Sequence, residues 1–190
     1  MTASPKSSVS EPELEAVVLA GGKSVRMGQD KAGMRLGGRL LVDWAVKAAT
    51  DAGLHCRLQR DDHVAGQGPL GGMWTAFQDC RAEGLIFLSC DMPFVTGAEI
   101  TRLIVSWRTG DEAAQFVVAD QAGFPCLVGR KLVPQIEESL RDGRRSVRGL
   151  LNEGRDLVVE ATEAWRFHNV NSPRDWAEAK RLSARHWATR

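Results

Sequence analysis

Length, composition and charge narrow the classes of protein to which this sequence can belong. The 190 residues carry 25 Lys and Arg against 24 Asp and Glu, for a formal net charge of +1. Proteins that bind nucleic acid as a general polyanion show a basic excess, so this balance argues against that class. No apolar run approaches the ~18 residues that a membrane span requires, so we expect no membrane anchor.

The N-terminal composition and the cysteines bear on domain organisation and compartment. Residues 1–13 are polar, with two prolines and four serines, which predicts a disordered lead before a single domain over 14–190. The four cysteines are far apart and form no CxxC pair, which is typical of buried residues in a reducing compartment. We therefore expect a cytoplasmic protein without a structural zinc site.

Short apolar runs alternate with amphipathic segments along the chain. The patterns predict strands at 14–20, 54–59, 85–89, 115–119, 124–129 and 156–161. They predict helices at 41–52, 70–81, 97–107, 130–140, 146–154 and 173–186. Gly53 and Gly84 are expected to end the first two helices, and a turn is expected at 121–123. Thr96 and Glu99 fit a capping box before the helix at 97–107, Pro134 marks a first turn or a kink, and Ser172 is the expected N-cap before Pro173.

Strands that alternate with helices predict an α/β fold, here a Rossmann-like three-layer sandwich with a mostly parallel sheet. In such sheets ligands bind beyond the carboxyl ends of the strands. The chemically informative residues follow predicted strands: Gly21 and Gly22 the first, Asp61 and Asp62 the second, and Asp91 the third. We therefore expect one ligand site at this edge of the sheet.

The loop after the first strand, within AVVLAGGKSVRMGQDKA at 16–32, combines paired glycines with positive charge. A phosphate-binding loop of the G-x-x-x-x-G-K-[ST] type would need glycine at Val17, which lies inside the strand. Adjacent glycines can instead turn successive backbone N–H groups toward one anion. Arg26 and Lys31 follow on the same loop and can flank a triphosphate.

The segment LAGGKSVRMGQDK resembles the signature of the molybdenum cofactor guanylyltransferases. Four further segments follow in the order of that family: GPLGGM at 68–73, SCDMPF at 89–94, FPCLV at 124–128 and NVNSP at 169–173. The resemblance extends from about Glu15 to Lys180. It implies a nucleotidyltransferase fold and transfer of GMP from GTP to the phosphate of molybdopterin, with release of pyrophosphate.

The resemblance also implies roles for individual residues in the strand-end loops. Leu19, Ala20, Gly21 and Gly22 would bind the GTP phosphates, and Arg26 and Lys31 would act in catalysis by neutralising charge on the leaving pyrophosphate. Lys31 would also bind GTP.

Asp91 is expected to bind Mg²⁺ and the nucleotide, because a carboxylate after so apolar a strand is costly unless a cation offsets it.

The base and second-substrate assignments leave alternatives open. Asp61 or Asp62 would accept hydrogen bonds from guanine, and Gly68 would lie close to the base or ribose unless its role is only packing. Asn169 and Asn171 would bind molybdopterin or contact a second metal, with helix capping as the structural alternative. Arg144, Arg145 and Arg148 form a basic cluster that would meet the cofactor phosphate or be solvated.

The segment 54–67 is shorter than in the family, which weakens the prediction of guanine selectivity. A related cytidylyltransferase or sugar-phosphate nucleotidyltransferase, or a non-catalytic nucleotide-binding relative, therefore remains as an alternative. The family assignment further implies handover from molybdenum-insertion proteins, and to molybdoenzymes or their chaperones.

Overall fold

The computed structural model describes residues 13–20, 33–61, 63, 66–107, 113–118, 121–153, 157–160 and 163–187. The strands in these ranges are β1 (Leu14–Leu19), β2 (Arg35–Leu36), β3 (Arg39–Leu40), β4 (Cys56–Gln59), β5 (Gly84–Ser89), β6 (Ala113–Val118), β7 (Gln121–Gly129) and β8 (Leu157–Glu160). The helices are α1 (Leu41–Asp51), α2 (Gly68–Gln78), α3 (Gly97–Trp107), α4 (Val133–Arg141), α5 (Val147–Glu153) and α6 (Pro173–Trp187). The predicted lead lies outside the described residues except for Glu13.

A six-stranded sheet with the order β4-β1-β5-β7-β6-β8 forms the centre of the fold. β1 is parallel to both of its neighbours, and β6 is parallel to β8. β7 runs antiparallel to both β5 and β6. Parallel pairs therefore outnumber antiparallel ones, and the predicted mostly parallel sheet is confirmed.

Helices cover both faces of this sheet, as predicted for a three-layer α/β sandwich. On one face α1 and α3 pack against β1 and β5 through a core that includes Val18 and Ile86. On the other face α2, α4 and α5 enclose a second core around Phe77 and Phe87. The central strands are apolar on both faces because both faces are buried, which explains their continuous hydrophobic runs.

A third, smaller cluster lies outside the two main cores, and we call it the C-terminal cluster. It joins the hairpin of β2 and β3, the loop after β5 and helix α6. Its buried members are Leu36, Leu41, Phe94, Val170 and Ala179, and its partly buried members are Met34, Trp165, Trp176, Leu182 and Trp187.

Several predicted helix ends are confirmed by local hydrogen bonds. Glu99 accepts hydrogen bonds from the backbone and the hydroxyl of Thr96 at 2.9 and 2.6 Å, so this pair caps α3. Gly53 follows α1 with a φ of +80°, which is favourable for glycine. Pro134 lies in the first turn of α4, where its missing N–H costs no helical hydrogen bond.

Two sequence predictions about turns are wrong. The second helix covers Gly68–Gln78 rather than 70–81, and Gly84 does not end it but begins β5. A side chain on Gly84 would lie 2.8 Å from Leu14, so close strand packing explains this glycine. The residues predicted as a turn at 121–123 belong to β7, where Gln121 pairs with Val118 and Gly123 with Phe116.

A helix able to span a lipid bilayer is absent from the described part of the chain.

Candidate active site

The carboxyl ends of three adjacent strands lie in one row. Leu19 is the last residue of β1 and pairs with Gln59 of β4 on one side and with Ser89 of β5 on the other. The Ala20 N–H continues this ladder with a 2.8 Å hydrogen bond to the Gln59 carbonyl. This register places the carboxyl ends of β1, β4 and β5 side by side, which is the edge where a ligand site is predicted.

Asp91 lies two residues beyond this row, in the loop between β5 and α3. The Ser89 hydroxyl donates a hydrogen bond to Asp91 Oδ1 at 2.5 Å, which orients the carboxylate. The side chain is partly exposed, whereas the next residues, Met92 and Pro93, are buried. The carboxylate is thus held by a buried turn and remains accessible from the edge of the sheet.

The same loop binds the segment that contains Asn169 and Asn171. The Val170 N–H donates a 2.8 Å hydrogen bond to the Asp91 carbonyl. Val170 is fully buried, whereas Asn169 and Asn171 on either side of it are exposed. The structure therefore brings together two predicted site segments that are far apart in the sequence.

Ser172 and Asp175 cap the start of α6. The Ser172 hydroxyl accepts a hydrogen bond from the Asp175 N–H at 3.2 Å, and the Asp175 carboxylate accepts one from the Asn171 N–H at 3.0 Å. Partial burial acts to raise the pKa of Asp175, but hydrogen bonds from Ser172 and the Asn171 backbone outweigh it and lower that pKa. Ser172 is the predicted N-cap, and it carries the capping role.

Asp61 follows β4 at the other side of the row and is exposed. The side-chain amide of Gln59, which is buried, donates a hydrogen bond to the Asp61 carbonyl and fixes this turn. β4 is an edge strand, so the Asp61 side of the site is bordered by only one neighbouring strand. The choice between Asp61 and Asp62 stays open because Asp62 lies outside the described residues.

Gly68 begins α2 with a φ of +64°, a conformation that L side chains rarely adopt. A Cβ at this position would meet Arg145 at 3.5 Å, an ordinary contact, so backbone conformation rather than space explains the glycine. Arg145 also donates a 3.1 Å hydrogen bond from Nε to the side chain of Gln67. One member of the predicted basic cluster therefore lies beside the start of α2, whereas Arg144 pairs with Asp142 at 3.1 Å.

Five of the residues singled out from the sequence lie outside the described residues: Gly21, Gly22, Arg26, Lys31 and Asp62. Leu19 and Ala20, which precede them, lie where predicted at the end of β1. The roles of all seven residues stay predictions.

Sequence reasoning missed the supporting residues Ser89 and Gln59. Each lies two positions before a predicted carboxylate, and each fixes the turn that presents it. The available signal is a polar residue at the last position of a strand. Such a residue has its side chain at the sheet edge, where it can bind the following loop.

Asp91 is the residue of the described part of the chain that we expect to bind a divalent cation. Within the described ranges, no group of three or more His, Cys, Asp or Glu side chains converges. Mg²⁺ usually keeps several waters and binds one or two carboxylates together with substrate phosphates. Asp91, oriented by Ser89, fits that pattern.

Comparison with protein families identifies one match. The model described as the MobA-like NTP transferase domain matches residues 16–59 and 50–158. These ranges include the Asp61 and Asp91 loops.

Two curated relatives are similar over nearly their whole length. A Bacillus licheniformis protein named probable molybdenum cofactor guanylyltransferase is 30% identical, covering 85% of this chain and 94% of its own. A Cereibacter sphaeroides protein named molybdenum cofactor guanylyltransferase is 32% identical, covering 89% and 96%. The similarity therefore extends over most of the chain rather than one motif.

Solved structures confirm the fold. Molybdopterin-guanine dinucleotide biosynthesis protein A from Archaeoglobus fulgidus superposes with a TM-score of 0.71 at 19% identity, over 90% of this chain and 99% of that one. The Thermus thermophilus 2-C-methyl-D-erythritol 4-phosphate cytidylyltransferase gives a TM-score of 0.70 at 17% identity, over 90% and 99%. A Mycobacterium tuberculosis protein solved with manganese gives 0.63 at 17% identity, over 90% and 100%. The fold is thus shared by enzymes that use different bases.

Proposed function

The chain belongs to the MobA-like NTP transferase family and is a nucleotidyltransferase, and on that premise we propose that it is a molybdenum cofactor guanylyltransferase. It transfers GMP from GTP to the terminal phosphate of molybdopterin and releases pyrophosphate. The observation that carries this proposal is the hydrogen bond between Val170 and Asp91. It joins the proposed metal loop to the proposed pterin segment at the edge where β1 presents its glycine loop.

The proposed reaction is an in-line displacement at phosphorus. An oxygen of the molybdopterin phosphate attacks the α-phosphorus of GTP and forms a new P–O bond. The bond from the α-phosphorus to the oxygen bridging to the β-phosphate breaks, and pyrophosphate leaves with that oxygen. Because the substrate supplies its own nucleophile, the protein has to provide alignment and charge compensation rather than a reactive side chain.

The chain's own residues divide these tasks along the sheet edge. We assign phosphate binding to the backbone from Leu19 to Gly22, and charge compensation on pyrophosphate to Arg26 and Lys31. Removal of one preorganised donor of this kind commonly costs about 10²–10³ in rate. We expect Lys31→Ala to show a loss of that size in kcat.

Asp91 is proposed to hold the divalent cation, which we expect to be Mg²⁺. The Ser89 hydroxyl orients the carboxylate, and the buried residues Met92 and Pro93 hold the loop beyond the end of β5. A bound cation would offset the negative charge of the phosphates. The manganese bound by the Mycobacterium tuberculosis relative supports a divalent cation in this fold.

Asn169 and Asn171 are proposed to bind the pterin substrate. Both are exposed beside Asp91, and α6 takes its cap from Ser172 and Asp175 instead. Carboxamide groups offer both donors and acceptors, which suits a heterocycle edge. Asp61 on the opposite side of the row is proposed to accept hydrogen bonds from guanine, and Gly68 to allow close backbone approach.

The decisive experiment supplies purified protein with molybdopterin, Mg²⁺ and labelled GTP. We expect one labelled dinucleotide and one pyrophosphate per turnover. Labelled CTP in a parallel reaction tests the alternative of a cytidylyltransferase, which the shared fold leaves open. GTP binding without pyrophosphate release would instead support a non-catalytic nucleotide-binding protein, and would overturn the proposal.

A further inference from the structure

We propose that Trp187, the last residue of α6, is a positioning residue that holds the segments of the active site in register. This inference rests on the proposed function, because it assigns an effect on kcat to a residue whose described ring contacts are Trp44, Phe94 and Gly37. The C-terminal cluster carries it. Members of that cluster lie within five positions of Lys31, within three of Asp91, and between Asn169 and Asn171.

Trp187 packs directly on the hairpin turn between β2 and β3. A Cβ on Gly37 would lie 2.8 Å from Cζ3 of Trp187 and 2.9 Å from Cε3, so the ring fills the space that a side chain would need. Gly37 also has a φ of +59°, which favours glycine independently. The hairpin and the end of α6 therefore fit together at one close contact.

A second tryptophan contacts both the hairpin and the ring of Trp187. Trp44 of α1 donates a hydrogen bond from Nε1 to the Leu36 carbonyl at 3.0 Å. Its ring lies 4.3 Å from that of Trp187, measured between centroids. The guanidinium carbon of Arg39 lies 4.6 Å from the centre of the Trp44 ring. The hairpin is thus held between α1 and α6.

The hairpin continues directly from the loop that contains Lys31. Met34 is only three residues beyond Lys31, so the two α-carbons are at most about 11 Å apart. The Met34 carbonyl accepts a 2.8 Å hydrogen bond from the Leu41 N–H, and Leu36 is 2% exposed. The described residues that follow Lys31 in the sequence are therefore anchored by the hairpin that Trp187 contacts.

Trp187 also reaches the loop of Asp91. Its ring centroid lies 5.1 Å from that of Phe94, which is 1% exposed and only three residues beyond Asp91. Val170, fully buried in the same cluster, bonds to the Asp91 carbonyl. The Trp187 ring therefore contacts both the hairpin that follows Lys31 and Phe94, which follows Asp91.

Removal of this ring should affect chemistry more than ground-state binding. Lys31 is assigned to charge that develops on the leaving group, and Asp91 to the cation that offsets phosphate charge. Interactions made mainly in the transition state appear in kcat. Misplacement of a catalytic group by about 1 Å can cost up to about 100-fold. We expect Trp187→Ala to lower kcat about 10- to 100-fold, with KM for GTP changed less than about threefold.

The chain supplies a matched control in Trp107. This residue is the last residue of α3, is partly buried, and also packs over a glycine, with Cζ2 3.3 Å from a Cβ on Gly84. Gly84 begins β5 and Ser89 ends it, so the control lies about 17 Å away at the opposite edge of the sheet. Trp107→Ala should lower the melting temperature and leave kcat within about twofold of the wild type.

Two further variants and a hydrogen-exchange measurement keep the inference testable. Trp187→Phe retains an aromatic ring and should restore most of kcat, and Gly37→Ala should reproduce the loss without removing the ring. Hydrogen exchange is measured for 33–41 and 163–171, and we expect faster exchange in Trp187→Ala but not in Trp107→Ala. Wild-type kcat in Trp187→Ala, or equal losses in both alanine variants, would overturn the inference.

The exchange data separate the two proposals. Failure of the wild-type protein to form a dinucleotide would refute the proposed function. Faster exchange confined to Trp187→Ala would still support the bracing of these segments, and unchanged exchange in both segments would refute it. If Trp187→Ala does not fold, Gly37→Ala provides the comparison for the loss of kcat, and Trp187→Phe the comparison for its retention.

Discussion

Among single residues, Asp91 has the most direct consequence for activity. Asp91→Asn keeps the shape of the side chain and an acceptor for the Ser89 hydroxyl, but it removes the negative charge that a divalent cation requires. We expect kcat for dinucleotide synthesis to fall at least about 10²–10³-fold, as for the loss of other preorganised electrostatic groups. The melting temperature should change little, because the side chain is partly exposed.

A matched substitution controls for the loss of one negative charge. Asp142 is exposed and pairs only locally with Arg144 in the described contacts, at 3.1 Å. Asp142→Asn should leave the rate unaltered. Comparable rates for the Asp91→Asn protein and the wild type across a magnesium titration would remove Asp91 from the metal site.

The reactivity of Cys56, at the start of β4, reports how far this edge strand is buried. Desolvation raises the pKa of its thiol to about 11 from an ordinary value of 9.0. Because only the thiolate reacts with iodoacetamide, we expect Cys56 to be alkylated far more slowly in the native protein than in urea near neutral pH. Peptide mass spectrometry would measure each cysteine separately.

The sign of the pH effect follows from the direction of this shift. The unfolded thiol loses its proton near pH 9, while the folded thiol keeps it until about pH 11. The contribution of Cys56 to stability is therefore complete below pH 9 and is lost as the pH rises through that window. Cys56→Ala should flatten this part of the pH–stability curve, and equal alkylation in both states would show that the thiol is solvated.

Residue chemistry was predictable where it followed a strand, and not where it depended on tertiary contacts. Asp61 and Asp91 could be placed because parallel strands end at one edge. The roles of Ser89 and Gln59 depend on side-chain direction at the last strand position, which sequence spacing does not determine. The approach of Trp187 to Gly37 joins segments separated by most of the chain, so no local pattern could indicate it.

Among the elements, α6 links stability to the proposed pterin segment. Its first turn is closed by the reciprocal bonds of Ser172 and Asp175, and Asp175 also holds the Asn171 backbone. We expect Asp175→Ala to reduce the free energy of unfolding by about 1 kcal/mol near neutral pH, the usual cost of losing a helix N-terminal side-chain interaction. Urea denaturation would measure this difference.

The pH dependence of this cap has the opposite sign to that of Cys56. The folded-state pKa of Asp175 is lowered from 3.8, so its contribution is present above that ordinary value and is lost as the pH falls through the folded pKa. The wild type and Asp175→Ala should therefore converge in stability in strong acid. A constant difference down to that pH would show that charge on Asp175 plays no part in the cap.

Helix ends with capping side chains could be predicted. Of the two ends predicted from glycine, the one at Gly53 is correct and the one at Gly84 is wrong. Thr96 with Glu99, and Ser172 before Pro173, were placed correctly because their side chains bond to the local backbone. Gly84 was misassigned because a glycine beside a helix can either end it or permit close strand packing. The 121–123 turn was misplaced because glycine also occurs within strands near a register shift.

For the molecule as a whole, alternation of elements predicted the layers, whereas the strand order needed long-range pairing. Both faces of β1 and β5 are covered, as their continuous apolar runs indicate. The antiparallel position of β7 between β5 and β6 follows from the hairpin that it forms with β6. Local sequence could not show that this hairpin would insert β7 beside β5.

Nucleotide selectivity is a property of the whole site, and it can be tested without the second substrate. A ligand that binds only the folded state raises the melting temperature. At a free ligand concentration of 100 times Kd, the free energy of unfolding rises by about 2.7 kcal/mol. For a domain of this size that corresponds to several degrees. We expect such a shift with GTP and Mg²⁺, and much smaller shifts with CTP or UTP, because only guanine presents the N1–H and amino donors to an aspartate.

A variant of Asp61 tests whether the β4 edge of the site is responsible for the preference for GTP. Asp61→Ala should remove the preference for GTP while leaving the shift caused by the triphosphate and Mg²⁺, because the proposed base contact Asp61 and the proposed metal ligand Asp91 follow strands on opposite sides of β1. Equal shifts for GTP, CTP and UTP in the wild type would show that the edge at β4 does not select guanine. A preference for CTP would move the chain to the cytidylyltransferase branch of the fold.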